Sequence, residues 1–471
     1  MRQTWSSTLT YILTVAGATI GFGATWRFPY LVGENGGAAF VVVFCVAMIC
    51  IGIPVILVEN VIGRRAMQNS VDAFGGKNNE KNPAYKGIGY MGLLGSFGIM
   101  AYYMVLGGWV LVYIWGLVFG GFDLSKPVSK EYTSEFYTQN IEHNPLFVSI
   151  FTIIFVLVNY FILKKGIIDG IERSVKFLMP ALFCCLIIVV VRNLTLDGAF
   201  AGVEFYLKPD FSKITPKLLI DVLGQVFFAL SLGFGVMVTL SSHLKKSENL
   251  LKTATYTGIL NTLIAFLAGF MIFPALFSAG LSPDSGPSLV FKTLPIAFSH
   301  IHFGTIICVL FFVLLLIAAL TTSLPIYQVI ISVLEEKFKL SKNMAINLTL
   351  GFIFVFGNLP CVLTYGPWSE VTIINGKNIF DSFDFISGNI LFVLTALFCC
   401  LYVGWVMKKE ALDEISNNHT LKSVWIKIWY YYVKFIVPLV IFDIFLYGIF
   451  NVELFSMIYD IFLYYGFLFD R

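Results

Sequence analysis

Two short glycine motifs are the places in this 471-residue chain where residue type and spacing could do chemistry. Gly21-Phe22-Gly23 and Gly233-Phe234-Gly235 each fall in the middle of a long apolar run. Two glycines within three residues weaken a helix by about 1 kcal/mol each. Where the helix gives way, backbone N–H and C=O groups come free, and the half-helix that follows points its positive dipole end into the gap, which suits an anionic group. Arg27, just past the first motif, and Asp384, at the start of a later run, are charges at positions where charges pair or line a water path. Other chemistries lack their residues. His143, His243, His300, His302 and His419 lie at run ends or in loops, and no Ser-His-acid set or HExxH pattern accompanies them, so no enzyme active site is expected. The eight cysteines include no CxxC pair and read as buried apolar filler.

The elements that must position these motifs follow from composition. The chain is 58% hydrophobic and 13% charged, which excludes a water-soluble fold. A net charge of +3 without a basic stripe excludes nucleic acid as a partner. A membrane-spanning helix needs roughly 20 apolar residues. Charge-poor runs of that kind occupy 3–26, 35–58, 87–122, 143–163, 177–191, 222–244, 253–283, 293–334, 343–369, 385–407 and 429–448. The expected fold is therefore an all-α polytopic membrane protein of eleven helices in a lipid bilayer. The first run is too long, and its flanks too unlike a cleavage site, for a signal peptide, so it reads as a retained helix. The run 293–334 exceeds one span, and its broken, polar start predicts an external hairpin over 283–303 leading to a helix from about Gly304. The tail 451–471 reads as a short interfacial helix.

Lys and Arg in alternate loops divide twenty to eight when the N-terminus is placed inside, which predicts a cytoplasmic N-terminus and an external C-terminus in the plasma (inner) membrane. The glycine motifs occupy the first and sixth runs. The sixth run lies five spans after the first, an odd offset, so the second half starts on the opposite side of the membrane. That is the pattern of an inverted repeat, with a midplane site between paired discontinuous helices. The division is 1–193 for the first five-helix repeat, 194–410 for its inverted partner and 411–471 for the eleventh helix and tail.

The stretch Gly21-Phe22-Gly23-Ala24-Thr25-Trp26-Arg27-Phe28-Pro29-Tyr30, then Glu34-Asn35-Gly36-Gly37, then Gln225 through Gly235, resembles the neurotransmitter:sodium symporter family, especially its bacterial amino-acid transporters. The resemblance implies a five-plus-five inverted repeat, alternating access and sodium-driven import of a small organic solute. By the family pattern, the Phe22 and Gly23 amides and the Tyr103 hydroxyl would hold an amino acid's carboxylate. Gly21 stands where amine-carrying members have an Asp. Ala18, Thr19, Ile99, Phe228, Ala229, Ser231, Phe234, Thr322 and Ile326 would line the rest of the substrate site, whose apolar character implies an apolar or aromatic side chain.

The run Ala318 to Thr322 resembles the family's second sodium site. The Ala318, Gly17 and Ile20 carbonyls and the Thr321 and Thr322 hydroxyls would be its ligands. The first sodium site departs from the pattern, because Ala24 and Ala229 replace an amide and a hydroxyl, leaving the Thr19 and Ala229 carbonyls and Asn261. Phe44 and Ala265 likewise strip the neighbouring anion position. Losing a buried cation and its counter-charge together is electrostatically consistent, so one sodium and no chloride are expected. The family pattern makes Arg27 and Asp384 the outer gate, and Arg2 with Trp5 against Glu336 the inner one. Gly170 and Pro180 resemble its point of local unwinding in the fifth span. A substrate sensor on the same scaffold, or a transporter of an amine, would share most of these features.

Overall fold

The computed structural model describes residues 4–76, 80–282, 288–374, 376–417 and 424–450. Arg2 and the tail 451–471 lie outside them, so the expectations placed there are not addressed by the described structure. The described chain is almost entirely helical, with one two-stranded hairpin pairing Thr372–Ile374 with Lys377–Asn378. Among the described residues, nine helices are long and apolar enough to cross a bilayer: Ala38–Ala66, Pro83–Phe119, Pro145–Leu163, Ile167–Leu194, Leu250–Ser278, Gly304–Glu336, Lys342–Leu363, Ile379–Met407 and Val424–Phe450. The first run forms a bent pair, Thr8–Thr19 and Gly23–Glu34, turned by 58° at the first glycine motif. The sixth run forms Pro216–Ala229 and Val236–Ser241, interrupted at the second motif. Both expected discontinuities are therefore present.

Boundaries shift where charge was taken as an end. The second span continues through Glu59 to Ala66, and the fifth and tenth begin earlier, at Ile167 and Ile379. In the described part of the expected hairpin, Leu289–Ser299 is helical and is followed by a turn at 300–303, and Leu289, Val290, Phe291, Leu294 and Phe298 are buried against the bundle. The following helix starts at Gly304, where the sequence placed it.

Burial sorts the spans by position. Pro83–Phe119 is the central helix, 83% buried along its apolar window, whereas Ile167–Leu194 and Val424–Phe450 are 33% buried and present large apolar side chains to lipid. Helices in lipid approach closely through small residues. The central helix does so at Gly98, where a Cβ would strike the Ser387 hydroxyl, and at Gly107, where it would strike the Phe155 ring. The fifth span is not unwound in this conformation. Gly170 lies in a wide π turn, Ile167–Glu172, and Pro180 is carried inside the continuous helix Arg173–Leu194.

Candidate functional site

The two breaks face each other, and side chains from other spans satisfy their free backbone groups, as a dry environment requires. At the first break the Phe22 N–H points to the Tyr103 hydroxyl at 3.4 Å. The carbonyls around it accept from Thr322 Oγ1 (to Gly17, 2.9 Å), Ser231 Oγ (to Ala18, 3.0 Å) and Gln225 Nε2 (to Gly23, 2.7 Å). At the second break Ser231, Gly233 and Gly235 all have positive φ, a turn that glycine adopts without strain and that Ser231 adopts while bonded to Ala18. Glu59 Oε1 accepts from the Gly233 N–H at 2.7 Å, and Ser96 Oγ donates to the Phe234 carbonyl at 2.7 Å.

The positions expected to bind substrate divide in two. Phe22, Tyr103 and Phe228 line a cavity of about 160 Å³ beside the first break, together with Trp26, Arg27, Tyr30, Tyr102, Leu106, Phe380, Asp381 and Asp384. Phe228 and Phe234 face a second cavity of about 230 Å³, which also reaches Arg27, Asp384 and Phe392. Ala18, Thr19, Ile99, Ala229, Ser231, Thr322 and Ile326 are buried and line neither cavity. Gly21 and Gly23 are closely approached. A Cβ on Gly21 would collide with the Tyr103 hydroxyl and lie 2.6 Å from Thr322 Oγ1, and one on Gly23 would lie 2.8 Å from the Phe228 ring.

The two expected ion positions differ in their donors. At the second, the Thr321 hydroxyl donates to the Ala318 carbonyl at 3.1 Å, and the Thr321 Cβ would be 3.2 Å from a Cβ on Gly17. Ile20 ends the first half-helix, so its carbonyl is outside the regular ladder. Gly17, Ala318, Thr321 and Thr322 are thus gathered as a set of neutral oxygens, which fits a hard monovalent cation. At the first position a nitrogen stands among the oxygens: Asn261 Nδ2 donates to the Ala229 carbonyl at 3.0 Å and to the Thr19 carbonyl at 3.2 Å. Phe44 packs on Phe28 with ring centroids 4.7 Å apart, and Ala265 is fully buried, so those two side chains offer an anion no donor.

Arg27 and Asp384 share both cavities without forming a direct ion pair. The Arg27 guanidinium lies 4.4 Å from the Phe228 ring centroid, and Asp384 accepts from the Tyr102 hydroxyl at 2.6 Å. The partners expected at the inner gate are placed differently. Trp5 is buried and donates its indole N–H to the Leu240 carbonyl in the second half of the sixth span, while Glu336 accepts from the Asn69 backbone. Beside it, burial raises the Asp72 carboxyl, but the Asn69 amide and the Lys86 and Lys337 ammonium groups outweigh that and hold it below the usual carboxylate range. Sequence reasoning missed Glu59, Ser96, Tyr102 and Gln225. Their signal was a polar side chain inside or bordering an apolar run.

Residues 2–123 and 138–467 match the family profile described as the sodium:neurotransmitter symporter family. The chain is 61% identical over 453 residues to an uncharacterized sodium-dependent transporter of Haemophilus influenzae, covering 95% of this chain and 98% of that one. It is 27% identical over 467 residues to the human sodium- and chloride-dependent taurine transporter, covering 88% and 73%. Among solved structures, that of MhsT in complex with L-phenylalanine matches with a TM-score of 0.85 and 38% identity, over 95% of this chain and all of that one. The chain belongs to the sodium:neurotransmitter symporter family and is a sodium-dependent membrane transporter, not an enzyme.

Proposed function

We propose that the chain imports an apolar or aromatic amino acid with one sodium ion by alternating access, across the plasma membrane, with the N-terminus cytoplasmic and the C-terminus external. The observation that carries the substrate class is the crowding at Gly21. The Tyr103 hydroxyl fills the space that an Asp side chain would need, and it does so beside the Phe22 N–H. The site therefore offers a hydroxyl and a helix end to an anion, and no side-chain carboxylate at that position to an amine. The phenylalanine in the MhsT structure and the aromatic walls of the 160 Å³ cavity support an apolar or aromatic side chain.

One sodium would sit on the Gly17, Ile20 and Ala318 carbonyls and the Thr321 and Thr322 hydroxyls. The Asn261 amide nitrogen satisfies the carbonyls that a first sodium would otherwise share. Chloride is not required, since Phe44 and Ala265 give it no support. Arg27 and Asp384 form the outer gate by closing across the cavities they share, and Trp5 and Glu336, with Arg2, form the inner one. The test is uptake of a panel of amino acids and their decarboxylated amines into proteoliposomes, with sodium or potassium outside. Sodium-dependent uptake of apolar amino acids is expected. Preferential uptake of an amine would overturn the substrate class, and binding without uptake would make the chain a sensor.

A further inference from the structure

We propose that the groove between the start of the central helix and the end of the tenth span binds an anionic phospholipid, with an acyl chain in the groove and the phosphate at Lys434 and Lys408. The groove has a volume of about 630 Å³, larger than either cavity at the breaks. Tyr85, Ile88 and Met91 of Pro83–Phe119 form one wall, and Phe398, Leu401 and Trp405 of Ile379–Met407 form the other. Its surface is almost wholly apolar, and the Tyr402 hydroxyl that borders it is already donated to the Phe74 carbonyl at 3.0 Å, so the groove favours hydrocarbon. Both walls run from the helix ends inward, Ala84 to Met91 and Val406 to Phe398, a depth of about 10–12 Å at 1.5 Å per residue. That is the direction of a lipid tail. The proposed orientation puts the open end in the cytoplasmic leaflet.

Cations stand at that open end. Lys434 belongs to the last span, Val424–Phe450, and its ammonium lies 4.3 Å from the Trp405 ring centroid, 5.3 Å from that of Phe435 and 5.8 Å from that of Tyr430. It makes no ion pair among the described residues. Tyr431, Phe435 and Ile436 around it are exposed, so this stretch faces lipid. Packing fixes its height. A Cβ on Gly404 would lie 2.9 Å from the Lys434 Cα, and the Trp405 indole N–H donates to the Lys434 carbonyl at 3.3 Å, so Lys434 is level with Gly404 and Trp405. Lys408 is three residues beyond Trp405, about 5 Å along the axis; it is exposed and makes no ion pair among the described residues. Hydrocarbon gives way to headgroups at this level, and lysines here attract anionic lipid. Glu80 and Glu410 are the acids close enough to act on Tyr402, and Glu410 is bound by Lys81 and Arg65. With Lys408, Lys409 and Lys434 beside them, the open end is net positive, as a phosphate requires.

The test uses the full chain, purified in dodecyl maltoside and freed of lipid, with native mass spectrometry reading the stepwise binding of phosphatidylglycerol and phosphatidylcholine of equal chain length. The wild type is expected to bind its first phosphatidylglycerol roughly 25-fold more tightly than its first phosphatidylcholine, about fivefold for each lysine. Lys434→Gln and Lys408→Gln should each weaken that step about fivefold, and the double variant should lose the preference. Lys126→Gln, exposed in the loop that follows the other end of the central helix, should leave it unchanged. Gly87→Phe enters open space on the groove wall, since a Cβ there meets nothing within 4 Å, and should weaken both lipids with the lysines intact. Glycerol phosphate, a headgroup without tails, should not displace the lipid. Each variant should keep the wild-type circular dichroism; if Gly87→Phe does not fold, the lysine variants and the glycerol phosphate competition decide. No substrate enters the assay, so failure of the transport proposal leaves its outcome standing. Equal first-step affinities for the two lipids, an undiminished preference in the double lysine variant, or displacement by glycerol phosphate overturns the assignment.

Discussion

Tyr103→Phe isolates the proposed carboxylate contact, because it removes one oxygen and leaves the ring. That ring stays packed on Phe22, with centroids 4.9 Å apart, and Thr322 keeps its bond to the Gly17 carbonyl, so the fold has little reason to change. A hydrogen bond to a charged group contributes about 1.5–3 kcal/mol. At about 1.4 kcal/mol per decade, an amino acid held there should bind roughly 10- to 150-fold more weakly. Its decarboxylated amine has no anion to lose, so its affinity should change by no more than a neutral hydrogen bond allows, about 0.5–1.5 kcal/mol. The assay is equilibrium binding at saturating sodium for phenylalanine and phenethylamine, each against wild type and Tyr103→Phe, with the difference of differences as the readout. Equal losses for both ligands would refute the carboxylate contact. Tighter wild-type binding of phenethylamine than of phenylalanine would refute the amino-acid assignment altogether.

Sodium activation of binding should follow a Hill coefficient near one, and replacing chloride with gluconate should leave it unchanged; a coefficient approaching two, or a chloride requirement, defeats the single-ion proposal. Thr321→Val combined with Thr322→Val removes both hydroxyls of the proposed sodium site at nearly constant volume, so sodium-driven uptake should disappear while the protein still elutes as a folded species from size-exclusion chromatography. Unchanged sodium affinity in that variant would place the ion elsewhere. Asn261→Ala withdraws the donor from the Thr19 and Ala229 carbonyls. At about 1–3 kcal/mol for each group left unsatisfied, a clear fall in unfolding temperature is expected in sodium-free buffer, and an unchanged one would show that the amide does not replace a cation there.

The breaks were legible because glycine acts locally: two in three residues weaken a helix whatever surrounds them. Span ends were less legible, because a charge-free run stands for a span only while charges remain outside it. Glu59 ended the second run in the sequence, yet the helix continues past it to Ala66, since the Gly233 N–H meets the carboxyl inside the bundle. The burial of the segment 289–299 was not legible for the converse reason. His300 and His302 mark a polar end, but Phe291 and Phe298 ahead of them are taken into the core by Trp109, Tyr113 and Phe311, contacts between remote parts of the chain.

At the site, sequence could show which backbone groups come free but not which side chains would meet them. The partners of Gly17, Ala18, Thr19 and Gly23 come from residues more than 200 positions away, and no local pattern pairs Gln225 with Gly23 or Thr322 with Gly17. Asn261 shows where the ambiguity is deepest. A side-chain amide carries both an acceptor and two donors, so the same residue type serves a site that binds a cation and a site that has dispensed with one. What separates the cases is the company it keeps. With Ala24 and Ala229 in place of oxygen-bearing side chains, two carbonyls remain and a cation there would be short of ligands. In the proposed single-sodium arrangement the amide nitrogen turned toward those carbonyls serves both without a net charge, at the cost of leaving its own buried Oδ1 without a partner.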